Sequence, residues 1–222
     1  MLDFGFYNAD CMDYMKEFPD NYFQLAIIDP PYGEGLNAEA GGSKGWFTKY
    51  NQKVTVGADK NIQWNTKPDD EYFKELFRIS QNQVIWGGNY FTLPPSRCFL
   101  VWRKLSISES FTMAMCEYAW TSFDSNAKVF EHTPQGTKHD ERFHPTQKPV
   151  ELYKWILNNY AKPDDIILDT HVGSGSSLIA CHKTGHKYVG FEIDEYYYKK
   201  AKERIERETA QVNFFDMGYE LC

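Results

Sequence analysis

Residues 25–32 read Leu25-Ala26-Ile27-Ile28-Asp29-Pro30-Pro31-Tyr32. A short apolar run, with the length and side chains of a fully buried strand, stops at an acid, two prolines and a tyrosine. Proline lacks a backbone donor and fixes φ, so the ladder cannot continue past Ile28. Asp29 is expected where the strand leaves the sheet, with Tyr32 close behind on a stiff turn. In an open α/β sheet, ligands bind outside the carboxyl ends of the strands. Asp29, Pro30, Pro31 and Tyr32 are therefore the candidate catalytic centre, although Asp-Pro-Pro taken alone is an ordinary turn sequence.

A second run of the same kind, Ile166-Ile167-Leu168-Asp169, lies far downstream. Gly173-Ser174-Gly175-Ser176 follows, then an apolar helix from about Ser177 to Lys183, then a strand from Tyr188 to Ile193 with Glu192 near its end. Strand, glycine turn, helix, strand and acid make a βαβ unit, which implies a parallel sheet with helices on both faces. Two glycines let a backbone approach a ligand closely, and the helix start supplies free N–H groups. The glycine pair alone is equally a tight turn. Glu192, about 20 residues on at the next strand end, sharpens it, because an acid there accepts hydrogen bonds from both ribose hydroxyls. An adenosine-containing cofactor is expected, and a nicotinamide dinucleotide stays open at this point.

Outward from these two runs, residues 3–8 read as a short aromatic strand with Asp10 at its end, and Asp13–Glu17 as a brief helix stopped by Pro19. Residues 70–78 have helical spacing with acids at the start, as the helix dipole favours. Val84–Trp86, 98–102 and 117–123 are further strands. Residues 124–143 read as a polar linker, and Pro149 opens a helix to Tyr160. Residues 195–208 are a charged amphipathic helix. Residues 33–68 are glycine-rich without periodicity, and loops this long are usually functional or disordered. Lys44, Lys49 and Lys53 lie there with Trp46, a mixture suited to holding a phosphate backbone and stacking bases. A solvated surface loop is the plainer alternative.

The composition sets limits. At 222 residues the chain is read as a single domain, residues 1–222, large enough for a real core. A net charge of −7 argues against broad non-specific adhesion to nucleic acid but leaves room for a local basic groove. Aromatics are abundant, with 15 Tyr, 16 Phe and 6 Trp, enough both to fill a core and to stack on bases. The five cysteines show no CxxC spacing, so neither a disulfide framework nor a zinc signature is present, which suits a reducing cytoplasm. His132, His139 and His144 fit no standard zinc spacing either, and no metal is expected. No apolar run approaches the roughly 18 residues of a membrane span, and no signal-peptide pattern opens the chain.

His144-Pro145-Thr146-Gln147-Lys148-Pro149 is the third motif, with a lysine and a hydroxyl just before a helix, able to hold a carboxylate. Together with Asp29-Pro30-Pro31-Tyr32 and Asp169-Thr170-His171-Val172-Gly173-Ser174-Gly175, it resembles the amino-group DNA methyltransferases. Catalytic turn first and cofactor loop late is the order of their beta group, and the resemblance runs from about residue 5 to 207. It implies a Rossmann-like S-adenosylmethionine-dependent methyltransferase fold, a mostly parallel seven-stranded sheet with helices on both faces. S-adenosylmethionine would lie over the strand ends. Gly173, Ser174, Gly175 and Ser176 match the loop beneath its methionine part, and Asp169 the acid opening that motif. Glu192 matches the ribose-binding acid, Asp10 the acid that contacts adenine, and Thr146 and Lys148 the motif holding the methionine end. The target base is assigned to the Asp29–Tyr32 turn, DNA is the expected partner, and dimers occur in the family.

The chain departs from that pattern in two respects. Thr170 and His171 stand where members often have proline and phenylalanine; His171 is expected to pack on the cofactor through its ring face. Residues 124–143 also leave little room for the usual target-recognition segment, so sequence choice is relaxed, moved to residues 33–68, or supplied by a partner.

The resemblance implies a specific chemistry. An exocyclic base amine is a poor nucleophile because its lone pair is delocalised into the ring. Acceptors on its two N–H groups, the Asp29 carboxylate and the Pro30 carbonyl, draw the nitrogen toward a tetrahedral shape and aim the lone pair at the donor methyl. No cysteine sits in a Pro-Cys setting, which disfavours covalent carbon-5 methylation of cytosine. The base must be flipped out of the duplex, and Tyr32 can stack on it. Adenine N6 is favoured, since an acid at the first position of the tetrapeptide resembles the adenine enzymes; cytosine N4 is the near alternative. A non-catalytic DNA-binding relic of the fold, an RNA or protein amine as acceptor, and a nicotinamide-dependent oxidoreductase are the other classes weighed.

Overall fold

Strands β1 (Gly5–Asn8), β2 (Phe23–Ile28), β3 (Ser80–Trp86), β4 (Phe99–Lys104), β5 (Cys116–Thr121), β6 (Lys128–His132), β7 (Ile166–Asp169) and β8 (Lys187–Glu192) form one sheet in the order β1-β8-β7-β2-β3-β5-β4-β6. The computed structural model describes residues 2–33, 66–110, 114–134 and 142–216. Five α-helices lie among them: α1 (Cys11–Met15), α2 (Asp70–Ile79), α3 (Val150–Tyr160), α4 (Ser176–Lys183) and α5 (Glu195–Asp216). Lys44, Trp46, Lys49 and Lys53, with most of the 33–68 stretch, fall outside the described residues.

The first five strands of that order, β1, β8, β7, β2 and β3, run parallel. β5 is antiparallel to both its neighbours, and β4 and β6 pair parallel to each other. The expected count of seven strands is corrected to eight among the described residues. The additional strand is β6, inside the segment read as a polar linker. As an edge strand it is mostly exposed, and its half-buried side chains are Phe130, which meets Trp155, and His132, stacked on Phe130. Its apolar signal is therefore too thin to stand out in the sequence.

Period-two alternation divides the central strand between two cores. Ala26 and Ile28 pack with Met15, Tyr72, Phe73 and Leu76 of the α1/α2 face. Leu25 and Ile27 pack with Leu152, Ile156 and Ala180 of the α3/α4 face. All four strand residues are essentially inaccessible. Each buried aliphatic side chain contributes about 1.5–3 kcal/mol, so the carboxyl end of β2 is anchored from both sides. β2 pairs with β7 through Leu25↔Ile167 and Ala26↔Leu168. The Asp29 turn and the loop after Asp169 thus leave the same edge of the sheet, next to each other.

Candidate active site

Asp29 is held by two donors. The Tyr32 hydroxyl donates to its Oδ1 at 2.7 Å, and the Lys148 ammonium donates to Oδ2. Lys148 is also 3.1 Å from Glu117 Oε2, and Lys104 is 2.7 Å from Glu117 Oε1. The result is an alternating row, Asp29, Lys148, Glu117 and Lys104, with no net charge. The Lys148 side chain is 2% exposed and lies over the Trp86 ring. Burial would remove its proton, but Asp29 and Glu117 hold its pKa above the usual lysine range. Burial works against Glu117 ionisation too, yet the Lys148 and Lys104 charges bring its pKa down to about 2.

The strand directions explain how these groups meet. β4 runs with the parallel strands, so Lys104 at its end reaches the carboxyl edge. β5 runs the other way, so Glu117, near its beginning, reaches the same edge. Glu117 and Lys104 were not singled out from the sequence. An acid near the start of a strand signals a site only once that strand is known to be antiparallel.

Tyr32 is fixed from two sides. Its ring stacks on Tyr90 with centroids 4.6 Å apart and planes 9° apart. Gly87, at φ +65°, lies against the same ring, and a Cβ there would be 2.1 Å from it. Only glycine tolerates both that backbone and that approach. At 4.6 Å no base fits between Tyr32 and Tyr90. Burial, then the Asp29 charge, raises the Tyr32 pKa far above the ordinary phenol value, so the hydroxyl stays a donor.

The glycine loop is braced from beneath. Asp169 accepts from the His171 N–H at 2.9 Å and from the Ser177 hydroxyl. Its burial raises its pKa to about 7. Arg204 of α5, 2% exposed, donates to the Ser174 carbonyl at 2.9 Å and the Ser176 hydroxyl oxygen at 2.8 Å. Ser176 in turn donates to the Lys148 carbonyl at 2.7 Å, tying this loop to the segment whose lysine is bound to Asp29. Glu192 accepts from the N–H groups of Gly173 and Asp194 at 2.8 and 2.9 Å, and burial raises its pKa to about 7. Asp10 caps α1 by accepting from Met12 N–H at 2.9 Å. Thr146 is exposed and lies 3.2 Å from His144 Nδ1.

Asp29, Pro30, Pro31, Tyr32, Asp10, Thr146, Lys148, His171, Gly173, Ser174 and Glu192 all line one cavity of about 1050 Å³. Asp169, Gly175 and Ser176 stand behind its wall. Glu117, Lys104, Tyr90 and Gly87 line it without having been expected. Among the described residues no group of three or more His, Cys, Asp or Glu side chains is arranged to hold a metal ion, and no helix is long and apolar enough to cross a membrane.

A family model described as DNA methylase matches residues 42–203. The chain is 26% identical to the Escherichia coli (strain K12) methylase YubD over 214 residues, spanning 90% of this chain and 89% of that one. In fold it is similar to the M1.HpyAVI–SAM complex, at a TM-score of 0.55 and 19% identity, with 90% of this chain and 98% of that one covered. It is also similar to the PvuII DNA methyltransferase (cytosine-N4-specific), at a TM-score of 0.57 and 12% identity, with 94% and 92% covered.

Proposed function

This chain belongs to the DNA methylase family, and from that premise we propose that it methylates the exocyclic N6 of adenine in DNA, using S-adenosylmethionine. One observation carries the reading. The Asp29 corner and the Gly173 loop leave neighbouring strands and share one cavity. That volume admits a nucleoside cofactor and a flipped base together. The residues present fit the cofactor. Asp10 and Glu192 offer carboxylates to hydroxyl and amine donors, and Gly173 is bare where a Cβ would lie 3.2 Å from His144 and close the cradle. Bound there, S-adenosylmethionine supplies an electrophilic methyl group.

The chain's own residues do the rest. An ionised carboxylate has about four acceptor positions, and Tyr32 and Lys148 use one on each oxygen of Asp29. The remaining positions, with the Pro30 carbonyl, accept the two N–H groups of the target amine. Lys148 donates to Asp29 and is shared with Glu117, so the Asp29 carboxylate keeps acceptor capacity for the amine. When the amine is methylated, Asp29 is the hydrogen-bonded group in reach of the proton released. Tyr32 supplies a stacking face, and a base on the Tyr90 side displaces the Tyr90 ring, which is 37% exposed. The carboxylate opening the tetrapeptide favours adenine over cytosine. Incubating the purified protein with genomic DNA and S-adenosylmethionine, then digesting to nucleosides for mass spectrometry, tests the reading. N6-methyladenine is expected. N4-methylcytosine instead would change the target base, and neither product would make the chain a non-catalytic relic.

A further inference from the structure

Tyr72, Thr170 and His171 form a hydrogen-bonded series beside the glycine loop. The Tyr72 hydroxyl lies 2.5 Å from Thr170 Oγ1, and Thr170 Oγ1 lies 2.9 Å from His171 Nδ1. Tyr72 and Thr170 are each 3% exposed, and the Tyr72 ring meets the His171 ring edge to face at 5.5 Å. Tyr72 sits there because Asp69 caps α2 and aims its first turn at the strand ends.

The hydrogens in this series can be assigned by requiring each to have an acceptor. Among the described residues the Tyr72 hydroxyl has no partner except Thr170, so its proton goes to Thr170 Oγ1. The Thr170 proton then has one acceptor left, His171 Nδ1. A neutral ring that accepts at Nδ1 carries its proton on Nε2. Burial lowers the His171 pKa to about 4, which keeps the ring neutral near pH 7. His171 lines the cavity, and its Nε2 has no hydrogen-bond partner among the described residues.

We propose that His171 donates its Nε2–H to an oxygen acceptor of the bound S-adenosylmethionine, and that the Tyr72–Thr170 pair fixes the tautomer that makes this possible. The proposal rests on the methyltransferase reading above and goes beyond ring-face packing. It gives Thr170 a reason to be a hydroxyl residue, because a proline there leaves Nδ1 without a donor. His171 is a positioning residue for the cofactor. The acceptor belongs to the ribose or to the methionine carboxylate, and the two are separable with ligand fragments.

Two measurements test it. In the first, nitrogen-15 NMR of the histidine-labelled, cofactor-free protein reads the His171 tautomer, assigned by its absence in His171→Gln. A protonated Nε2 with a bare Nδ1 is expected, and Thr170→Val is expected to disturb that preference. A proton on Nδ1 in the unaltered protein overturns the proposal. In the second, calorimetry compares S-adenosylmethionine, its decarboxylated form and 5′-methylthioadenosine. His171→Phe is expected to weaken S-adenosylmethionine binding about 3- to 10-fold, the worth of one hydrogen bond, and His171→Gln to restore most of it. An equal loss with all three ligands locates the acceptor on the ribose; a loss confined to S-adenosylmethionine locates it on the carboxylate. Unchanged affinity in His171→Phe overturns the proposal and leaves the methyltransferase reading standing. No binding by the unaltered protein brings down both.

Discussion

Replacing Lys148 by methionine keeps the length of the side chain and removes its charge. Its ammonium is shared by the carboxylates of Asp29 and Glu117, whose side chains are only 14% and 28% exposed. Removing one member of a buried pair costs about 3–5 kcal/mol, because the other charge is left without compensation. In a domain of this size 1 kcal/mol moves Tm by about 2–4 °C, so Lys148→Met should melt on the order of 10 °C lower at pH 7. The pH dependence carries the sharper information. Glu117 has a folded pKa of about 2, below the ordinary 4.5, and the Lys148 charge does most to hold it there against burial. A depressed carboxylate contributes stability that is present above its unfolded pKa and lost as pH falls through its folded one. The gap between the two proteins should therefore be full at pH 7 and shrink between about pH 4.5 and 2, where Glu117 takes up its proton. Thermal unfolding followed by circular dichroism at several pH values measures it. Equal Tm values at pH 7, or a gap that does not change with pH, would refute the reasoning.

Further outcomes follow from the same geometry. Tyr32→Ala loses base stacking worth about 1–3 kcal/mol, so kcat/KM for DNA should fall roughly 5- to 150-fold in steady-state transfer assays. Tyr32→Phe keeps the ring but loses the donor on Asp29, and about a fivefold loss is expected; a larger loss for phenylalanine than for alanine would contradict this order. Gly87→Ala puts a methyl into the Tyr32 ring at a left-handed backbone position, so transfer should drop by at least as much as in Tyr32→Ala, and retained activity would show that the turn can yield. Glu192 and Asp169 both have pKa values raised to about 7 by burial. Groups raised in this way add stability below their unfolded values that is lost as pH rises through 7. The cofactor-free protein should accordingly melt higher at pH 5.5 than at pH 8, with Glu192→Gln flattening the difference; a Tm that rises over that interval would contradict it.

Much of this site is legible in the sequence because its signals are local. A buried strand closed by Asp29 and two prolines, and a strand followed by Gly173 and Gly175, need no knowledge of distant residues. What the sequence hides is long-range. Lys148 meets Asp29 across 119 positions, and the motif gives no hint that its ammonium goes to carboxylates of the protein. Glu117 and Lys104 enter only through the reversed direction of β5. Arg204 looks like one more charge on an amphipathic helix, yet it is buried under the Ser174 carbonyl. Strand β6 is hard to see because it is an exposed edge strand whose one half-buried large apolar side chain is Phe130. Thr170 and His171 read as departures from the family pattern, and their logic appears only when Tyr72 of α2 is seen to close the series.

The most direct test is single-turnover methyl transfer to DNA by Asp29→Ala at saturating S-adenosylmethionine, with cofactor affinity measured on the same preparation. Transfer should fall to background while the cofactor binds about as tightly as before, since Asp29 polarises the acceptor amine. Transfer at a rate near that of the unaltered protein would contradict that role, and loss of cofactor binding would move Asp29 from the base pocket to the cofactor pocket.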